Sequence, residues 1–168
     1  MTPLLICSIG PYALRRRPLM IGLPLDRVAA VRPLGRLMPF PGQVPGLLGL
    51  TLHDGQIVPV FSAPALLGIA GASEIAEAPE SHGVPGAESG TIADRQTSRH
   101  LVVVKGGAGL VGLVVATAAG IDRPLHWADP SVLAPLSGPA FAGAVLRQDR
   151  WIAVLDPARL PAPQPVAA

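Results

Sequence analysis

The stretch Gly49-Leu-Thr-Leu-His-Asp-Gly-Gln-Ile-Val-Pro-Val-Phe-Ser-Ala-Pro-Ala-Leu-Leu67 predicts two strands joined by a tight turn and followed by a short helix. The turn is Asp54-Gly55, because both central positions of the favoured two-residue hairpin turn need a positive φ, which Gly and Asp tolerate best. Apolar residues lie on both sides of this turn, as they do in a half-buried hairpin. The stretch therefore predicts a β-hairpin that leads into a short helix.

The same plan returns 94 positions later (143 minus 49), in residues 143–160. A second pair of segments, residues 20–31 and residues 110–121, aligns at an offset of 90 (110 minus 20). The aligned pairs include Gly49 and Gly143, Leu52 and Leu146, Val60 and Val154, Leu66 and Leu160, and Gly22 and Gly112. Two copies of a unit are too few for a solenoid. The repeat instead predicts a pair of small, similar β lobes.

The composition favours a β protein with a substantial core. Of the 168 residues, 49% are hydrophobic and only 14% are charged, so the chain can bury a core and is not disordered throughout. Its 19 Gly and 20 Pro residues provide many turns, which favours short strands over long helices. We therefore predict an all-β fold with short helices, built as two lobes that share one core.

The segment between the two repeats differs in composition from both of them. It contains all four glutamates of the chain, several Ser, Gly and Pro residues, and no apolar periodicity, which is typical of a solvated linker. The predicted domain spans residues 3–162. Within it we expect a first lobe at about 3–70, a mobile linker at about 71–99 and a second lobe at about 100–162.

Charge, aromatic content and cysteine content exclude several classes of function. The net charge is only +2 and the chain has three Phe, one Tyr and two Trp, which argues against a surface for nucleic acid. Cys7 is the single cysteine, which excludes an internal disulfide and a cysteine zinc site. The longest uncharged apolar stretch, residues 106–121, is shorter than the roughly 18 residues of a membrane-spanning helix. We predict a cytoplasmic protein that binds no nucleic acid and does not insert into a membrane.

One motif, Gly107-Ala-Gly109-Leu-Val-Gly112, matches the GxGxxG pattern of dinucleotide-binding loops. In such a fold a helix follows the glycines, whereas Leu113-Val-Val115 favours a strand. The alternative is a glycine-rich turn between two strands. The four histidines lack metal-ligand spacing, and no catalytic motif is present. We predict a protein that is not an enzyme and uses no cofactor or metal, with an enzyme binding NAD or ATP at residues 107–112 as the alternative.

Apolar residues between positions 28 and 40 exceed what one small β lobe can comfortably cover. They are Val28, Ala29, Ala30, Val31, Leu34, Leu37, Met38 and Phe40. Core packing accounts for each residue taken singly. An excess of apolar surface on a noncatalytic β module is, however, what a protein–protein interface needs.

Several stretches of the chain resemble the CheW-like coupling domain of bacterial chemosensory systems. Residues 23–31, 41–49 and 49–60 are similar, in order, to that family's strand and turn, its Pro-rich loop and its G-L-x-N-L-R-G-x-x-V-P-V hairpin. In the second half, residues 101–115 and 141–156 are similar to the family's second-lobe hairpin and closing hairpin. The likeness covers most of the predicted domain outside the linker.

The resemblance implies two five-stranded SH3-like β-barrels packed around a shared core. It also implies a noncatalytic adaptor that connects the cytoplasmic tip of a methyl-accepting chemoreceptor to the regulatory domain of the chemotaxis histidine kinase. That kinase domain is expected to have the same fold and to dock lobe against lobe. The receptor helix is expected in the groove between the lobes, near Val28, Val31 and Ile121. The full set of candidate partner-binding residues is Val28, Ala30, Val31, Leu52, Asp54 and Ile121.

The chain departs from the family pattern at the first hairpin turn, where Leu52 and Asp54 stand in place of the usual Asn and Arg. An Asp in place of an Arg reverses the sign of the charge, so a contact with a partner carboxylate would become repulsive. Ser62 and Ala116 replace two acidic residues of the pattern. These departures leave open a second interpretation, a CheW-like module of a signalling pathway outside chemotaxis.

Overall fold

The computed structural model describes residues 2–9, 19–42, 44–68, 99–123, 126–133 and 140–160. The predicted all-β fold is confirmed, since strands dominate these residues and the α-helix among them is short. The predicted linker lies outside the described residues except for Arg99. The elements are β1 (Leu4–Ser8), β2 (Met20–Pro24), β3 (Val28–Pro33), β4 (Leu47–His53), β5 (Gln56–Ser62), α1 (Ala63–Leu66), β6 (His100–Lys105), β7 (Leu110–Val115), β8 (Thr117–Asp122), β9 (Trp127–Ala128), β10 (Phe141–Arg147) and β11 (Arg150–Leu155), with short 3₁₀ turns at Leu25–Arg27, Pro130–Leu133 and Pro157–Arg159.

The hairpin formed by β4 and β5 confirms the predicted turn. Asp54 has a φ of 48° and Gly55 has a φ of 77°, as a two-residue hairpin turn requires. The equivalent hairpin, β10 and β11, turns at Gln148 and Asp149, whose φ values are 46° and 60°. Because neither of these is a glycine, the second turn holds two side-chain-bearing residues in the sterically unfavourable left-handed region.

The strands form two mixed sheets. One has the order β8-β1-β2-β11-β10-β9, and the other has the order β3-β6-β7-β5-β4. Each sheet contains one parallel pair, β2 with β11 in the first and β5 with β7 in the second. The first sheet has six strands instead of the expected five because the short strand β9 pairs with the outer edge of β10.

Each sheet takes strands from both halves of the chain. In the six-stranded sheet, β1 and β2 of the first half pair with β8 and β11 of the second half, respectively. In the five-stranded sheet, β6 and β7 of the second half pair with β3 and β5 of the first half, respectively. Neither predicted lobe, about 3–70 or about 100–162, contains a complete sheet, and these boundaries stay a prediction. The hydrophobic pattern of a strand identifies the strand but not its neighbour, which is why the exchange was not predicted.

The two repeats occupy equivalent places in the two sheets, as the offsets of 94 and 90 imply. Gly49 faces Val60 across β4 and β5, and Gly143 faces Val154 across β10 and β11. In both hairpins a register shift lies next to the glycine. Each repeat therefore forms the outer hairpin of one sheet. The first two strands of that repeat lie in the other sheet, beside the outer hairpin of the other repeat.

Glycines at equivalent positions in β2 and β7 allow the strands to pack closely. A Cβ atom at Gly112 would lie 2.8 Å from Cδ1 of Leu101, and one at Gly22 would lie 3.0 Å from Cδ1 of Leu4. Both glycines lie in the strands that form the parallel pairs. The same Cβ atoms would lie 3.0 Å from Cγ2 of Val60 and 3.5 Å from Cγ2 of Ile152, so the missing side chains also permit close contact across the parallel pairs that join the two repeats.

The apolar residues form one shared core and two smaller clusters. The alternation of β1 shows the division: Leu5 and Cys7 lie in the shared core, which combines residues of both sheets, while Leu4 and Ile6 lie in a cluster of the six-stranded sheet alone. A matching cluster, which includes Val58, belongs to the five-stranded sheet. Burial in the shared core raises the pKa of the Cys7 thiol to about 12. Both faces of each sheet therefore contribute to folding.

Neither sheet closes into a barrel by backbone pairing among the described residues. The edge strands are β8 and β9 in one sheet and β3 and β4 in the other. Next to β4, Met38 and Leu50 exchange two backbone hydrogen bonds of 2.7 Å. Ala128 of β9 faces Ala144 of β10 in an antiparallel pair. Each outer hairpin is therefore covered along part of its edge by the segment that precedes it.

Candidate partner-binding site

Two predicted residues, Val31 and Ile121, are exposed at equivalent positions of the two repeats. Val31 on β3 is 42% exposed, and Ile121 on β8 is 61% exposed. The offset of 90 relates them, and their strands are edge strands of different sheets. We call them the edge-strand residues. Both are accessible to a partner, one on each sheet.

Two other predicted residues, Val28 and Ala30, are partly buried. A register shift lies between them on β3, so their side chains lie on opposite faces of the five-stranded sheet. Val28 packs against the shared core, and Ala30 packs against the cluster of the five-stranded sheet. The structure gives both residues a packing role, and their contact with a partner stays a prediction.

The hairpin of β4 and β5 carries an exposed apolar pair. Leu52 and Ile57 face each other across the two strands, and their exposed fractions are 54% and 64%. Asp54 lies at the turn beside this pair with a side chain that is 89% exposed, 3.6 Å from Nε2 of His53. The hairpin therefore presents an apolar surface that ends in an acidic tip.

Sequence reasoning missed Ile57 and a matching pair on the other hairpin. On β10 and β11, Leu146 and Trp151 face each other and are 45% and 37% exposed. The offset of 94 relates Leu52 to Leu146 and Ile57 to Trp151, so the repeat contained the signal. We call these the docking pairs, and the hairpins that carry them the docking hairpins. Contiguous exposed apolar side chains at equivalent places on both sheets indicate interaction surfaces.

An apolar groove of about 390 Å³ borders the first docking pair. It lies between the first docking hairpin, the turn from β6 to β7 and the chain that follows β11. The side chains that line it include Phe40, Leu50, Ile57, Pro59, Leu110 and Leu160. Grooves with this lining accept the apolar anchors of a partner segment. The groove extends the first docking pair and is separate from the edge-strand residues.

In each sheet a charged side chain connects an edge strand to the docking hairpin. On β3, Arg32 donates from Nη2 to the carbonyl oxygen of Leu52 at 2.8 Å and to the hydroxyl of Thr51 at 3.1 Å. In the six-stranded sheet, Asp122 on β8 forms an ion pair with Arg147 on β10. Each contact joins an edge strand to a docking hairpin without any backbone pairing between them.

The GxGxxG sequence forms a hairpin turn between β6 and β7. The backbone N–H of Gly106 donates to the carbonyl oxygen of Gly109 at 2.7 Å, and Gly112 lies inside β7. A phosphate-binding loop needs the free N–H groups of a helix N-terminus after the glycines, whereas a strand follows here. The alternative of a glycine-rich turn between strands is therefore confirmed.

The described residues contain no group of three or more His, Cys, Asp and Glu side chains that could hold a metal ion. In the same part of the chain, no helix is long and apolar enough to cross a bilayer. The candidate site therefore consists of exposed apolar side chains and the charged contacts next to them. Such a set of groups can bind a partner protein.

Comparisons with known proteins agree with this architecture. Residues 15–162 match the CheW-like domain family. The crystal structure of the scaffolding protein CheW from Thermoanaerobacter tengcongensis is similar to this structure with a TM-score of 0.65 and 15% sequence identity, over 92% of this chain and 88% of that one. No curated protein matches the chain. At this identity the structural likeness shows the fold, while the family match covers most of the sequence.

Proposed function

Because this chain belongs to the family of CheW-like domains, we propose that it is a noncatalytic adaptor that couples chemoreceptors to the chemotaxis histidine kinase in bacterial signal transduction. Its proposed partners are the cytoplasmic tip of a methyl-accepting receptor and the regulatory domain of the kinase. In this proposal it acts in the cytoplasm and is recruited to receptor arrays at the membrane. An adaptor needs separate binding surfaces, and the docking pairs and the edge-strand residues support this role.

The presence of two docking pairs at equivalent positions supports this proposal most strongly. Leu52 with Ile57 lies on one sheet, and Leu146 with Trp151 lies on the other. A protein that connects two others must present surfaces that can be occupied at the same time, and the docking pairs lie apart from the exposed edge-strand residues. Exposed Trp, Leu and Ile side chains are suitable anchors, because their burial against a partner removes apolar area from water.

We assign the kinase regulatory domain to the docking pairs and the receptor tip to the edge-strand residues. A domain of the same fold would present equivalent hairpins, so it could contact a docking pair lobe against lobe. An amphipathic receptor helix would place spaced apolar anchors against Val31 or Ile121. Under this assignment the two partners bind to different strands of the same sheets.

The exposed carboxylate of Asp54 favours a second candidate, a CheW-like module of a pathway outside chemotaxis. Its side chain is 89% exposed at the tip of the first docking hairpin. A partner with an acidic residue opposite Asp54 would be repelled, whereas a partner with a basic residue there would be attracted. In this second candidate the fold and docking pairs keep their roles, but the receptor and kinase differ.

A pull-down from lysate of the native cell, read by mass spectrometry, tests the proposal. The protein serves as bait, and an established coupling protein with its own receptor and kinase serves as the positive control. Joint recovery of a methyl-accepting receptor and its histidine kinase supports the coupler. Recovery of neither, while the control captures both, contradicts it. Recovery of a different kinase that carries a basic residue at its docking surface supports the second candidate.

A further inference from the structure

The apolar groove beside the first docking pair includes Leu160, the last of the described residues. Phe40 and Ile57 also line this groove, and none of the described residues that line it is charged. Ile57 belongs to the first docking pair as well, and it is 64% exposed. A segment that lies in the groove therefore covers part of the surface assigned above to the kinase.

The sequence continues after Leu160 with Pro161-Ala-Pro163-Gln-Pro165-Val-Ala-Ala168, eight residues that lie outside the described ranges. Proline occupies every second position from 161 to 165, and none of the eight residues is charged. Such a sequence favours the extended polyproline II conformation, which rises about 3.1 Å per residue, so that eight residues reach about 25 Å. Its uncharged composition matches that of the groove in which Leu160 lies.

The chain is extended and anchored at the point where this segment begins. Leu160 has a φ of −67° and a ψ of 138°, values close to polyproline II and favoured before a proline. The preceding 3₁₀ turn packs against the turn from β6 to β7, which forms one wall of the groove: a Cβ atom at Gly107 would lie 2.7 Å from the carbonyl oxygen of Ala158. The backbone N–H of Ala158 also donates to the Asp156 carboxylate at 2.9 Å. The segment therefore starts from a fixed position at the groove wall.

The groove provides the groups that a proline-rich segment binds. Such segments dock in apolar grooves with aromatic side chains, and their preformed conformation loses little entropy on binding. Phe40 provides the aromatic ring here, and the side-chain amide of Gln56 can donate to a backbone carbonyl, which polyproline II leaves without an internal partner. Covalent attachment gives the segment an effective concentration on the order of millimolar, so weak contacts are enough to occupy the groove.

We propose that residues 161–168 of this chain bind in the groove beside the first docking pair and compete there with the kinase regulatory domain for Ile57. The competition rests on the proposed function, whereas the occupancy of the groove does not. Because the segment and the kinase domain cover the same side chain, each weakens the binding of the other. Binding of the kinase domain at this hairpin therefore displaces the segment.

Amide NMR shifts of the full chain and of a chain that stops after Leu160 test the occupancy. We expect the truncation to shift the groove amides and to leave those of β1 and β8 in place; the groove amides to follow are Gln56, Ile57, Ala108 and Gly109. A peptide of residues 161–168, acetylated and amidated, is expected to reverse these shifts in the truncated chain and to bind the full chain at least fivefold more weakly. The same peptide with glycine at its three proline positions is the control, with a Kd at least fivefold higher.

A pair of charge variants in the truncated chain tests the position of the peptide. Ala108 and Ala119 are both exposed, but only Ala108 lines the groove, whereas Ala119 lies on β8 of the other sheet. Ala108→Asp places a carboxylate in the apolar groove and is expected to weaken peptide binding at least fivefold. Ala119→Asp adds the same charge elsewhere and is expected to leave the peptide Kd within twofold of its original value.

Calorimetric titration of the kinase regulatory domain measures the competition. We expect its Kd for the truncated chain to be at least threefold lower than its Kd for the full chain. Saturating peptide is expected to bring the truncated chain back to the full-chain Kd. The full-length variant Pro163→Gly/Pro165→Gly, which keeps the chain length but loses the extended preference, is expected to bind the kinase domain more tightly than the wild-type chain does.

The measurements separate this inference from the proposed function. Unchanged groove amides after truncation, or a peptide that binds Ala108→Asp as well as Ala119→Asp, overturns the occupancy while the adaptor function stands. Groove shifts accompanied by equal kinase Kd values for the two chains overturn the competition. Failure of both chains to bind the kinase domain overturns the proposed function, while the NMR shifts and the peptide titration still decide whether the segment lies in the groove.

Discussion

Leu52 and Leu146 occupy equivalent positions on the two docking hairpins, and each faces a large exposed apolar side chain, Ile57 or Trp151, across its hairpin. The two hairpins belong to different sheets, and each sheet also contains two strands of the other repeat. A duplicated β unit thereby produces one chain with two similar surfaces. In the proposed adaptor these surfaces bind the kinase, and the edge-strand residues are left for the receptor.

Charge placed in the docking pairs is expected to abolish kinase binding without unfolding the protein. In the variant Ile57→Asp/Trp151→Asp, two exposed anchors are replaced by groups that lose hydration when a partner covers them. We expect the Kd for the kinase regulatory domain to rise at least tenfold, measured by calorimetric titration, with an unchanged thermal unfolding midpoint. Val132→Asp is the control, because Val132 is 46% exposed and belongs to neither pair. Equal affinity of the double variant and the control would contradict the assignment.

Relief of backbone strain in the second docking hairpin is expected to stabilise the fold. Asp149 has a φ of 60°, which glycine adopts without steric cost. Asp149→Gly is expected to raise the free energy of unfolding by about 1 kcal/mol in urea titrations. The matched control places a side chain at the glycine of the first hairpin turn. Gly55 has a φ of 77° and open space around it, so Gly55→Ala should lower the free energy of unfolding by about 1 kcal/mol. A stabilising Gly55→Ala would show that these turns relax without strain.

Addition of one methyl group at Gly112 is expected to destabilise the five-stranded sheet. The new Cβ would lie 2.8 Å from Cδ1 of Leu101 and 3.0 Å from Cγ2 of Val60, so strands that join the two repeats would have to separate. We expect Gly112→Ala to lower the free energy of unfolding by about 1–3 kcal/mol. Gly35→Ala, with no atom within 4 Å of its Cβ, should change it by less than about 0.5 kcal/mol. Equal effects at both positions would contradict the close packing at Gly112.

Burial of Cys7 predicts a loss of stability at alkaline pH. The thiol pKa is raised from 9.0 to about 12, so the unfolded chain releases this proton at lower pH than the folded chain does. Below pH 9 the thiol is protonated in both states and contributes no pH dependence. Between pH 9 and 12 its ionisation favours the unfolded state, by about 1.4 kcal/mol for each pH unit.

The variant Cys7→Val isolates this contribution. Valine is a suitable replacement because the second repeat has Val104 on β6 at the position that corresponds to Cys7 on β1, and Val104 is buried as well. Urea titrations at pH 8 and pH 10.5 should show a larger loss of stability in the wild-type protein than in the variant. Parallel losses in the two proteins would mean that the thiol ionises as readily in the folded chain as in the unfolded one.

The local features of the fold were predictable from the sequence because they depend on neighbouring residues. Asp54 and Gly55 have the backbone freedom that the turn needs, and the β-branched run after Gly112 forms the strand that excluded a nucleotide-binding helix. The equivalence of the repeats followed from their constant offsets. Strand exchange was not predictable, because it depends on which distant strand pairs with β1 and β2, and a hydrophobic pattern does not encode that choice.

The candidate site was predicted only in part, for a similar reason. Val31, Leu52 and Ile121 were chosen by resemblance and are exposed, whereas Val28 and Ala30 proved to be packed against apolar cores. A strand pattern does not reveal the register shift between Val28 and Ala30, which turns one side chain toward the shared core and the other toward the cluster of the five-stranded sheet. The contact from Arg32 to Leu52 joins residues 20 positions apart at opposite ends of a sheet, and only the curvature of that sheet brings them together.

Formation of a ternary complex tests the adaptor function most directly. A receptor-tip fragment and the kinase regulatory domain are mixed with and without this protein, and the complexes are separated by size-exclusion chromatography with light scattering. We predict that the kinase domain elutes with the receptor fragment in larger amount when this protein is present, and that Ile57→Asp/Trp151→Asp abolishes the increase. Co-elution that is the same with and without the protein would contradict the account.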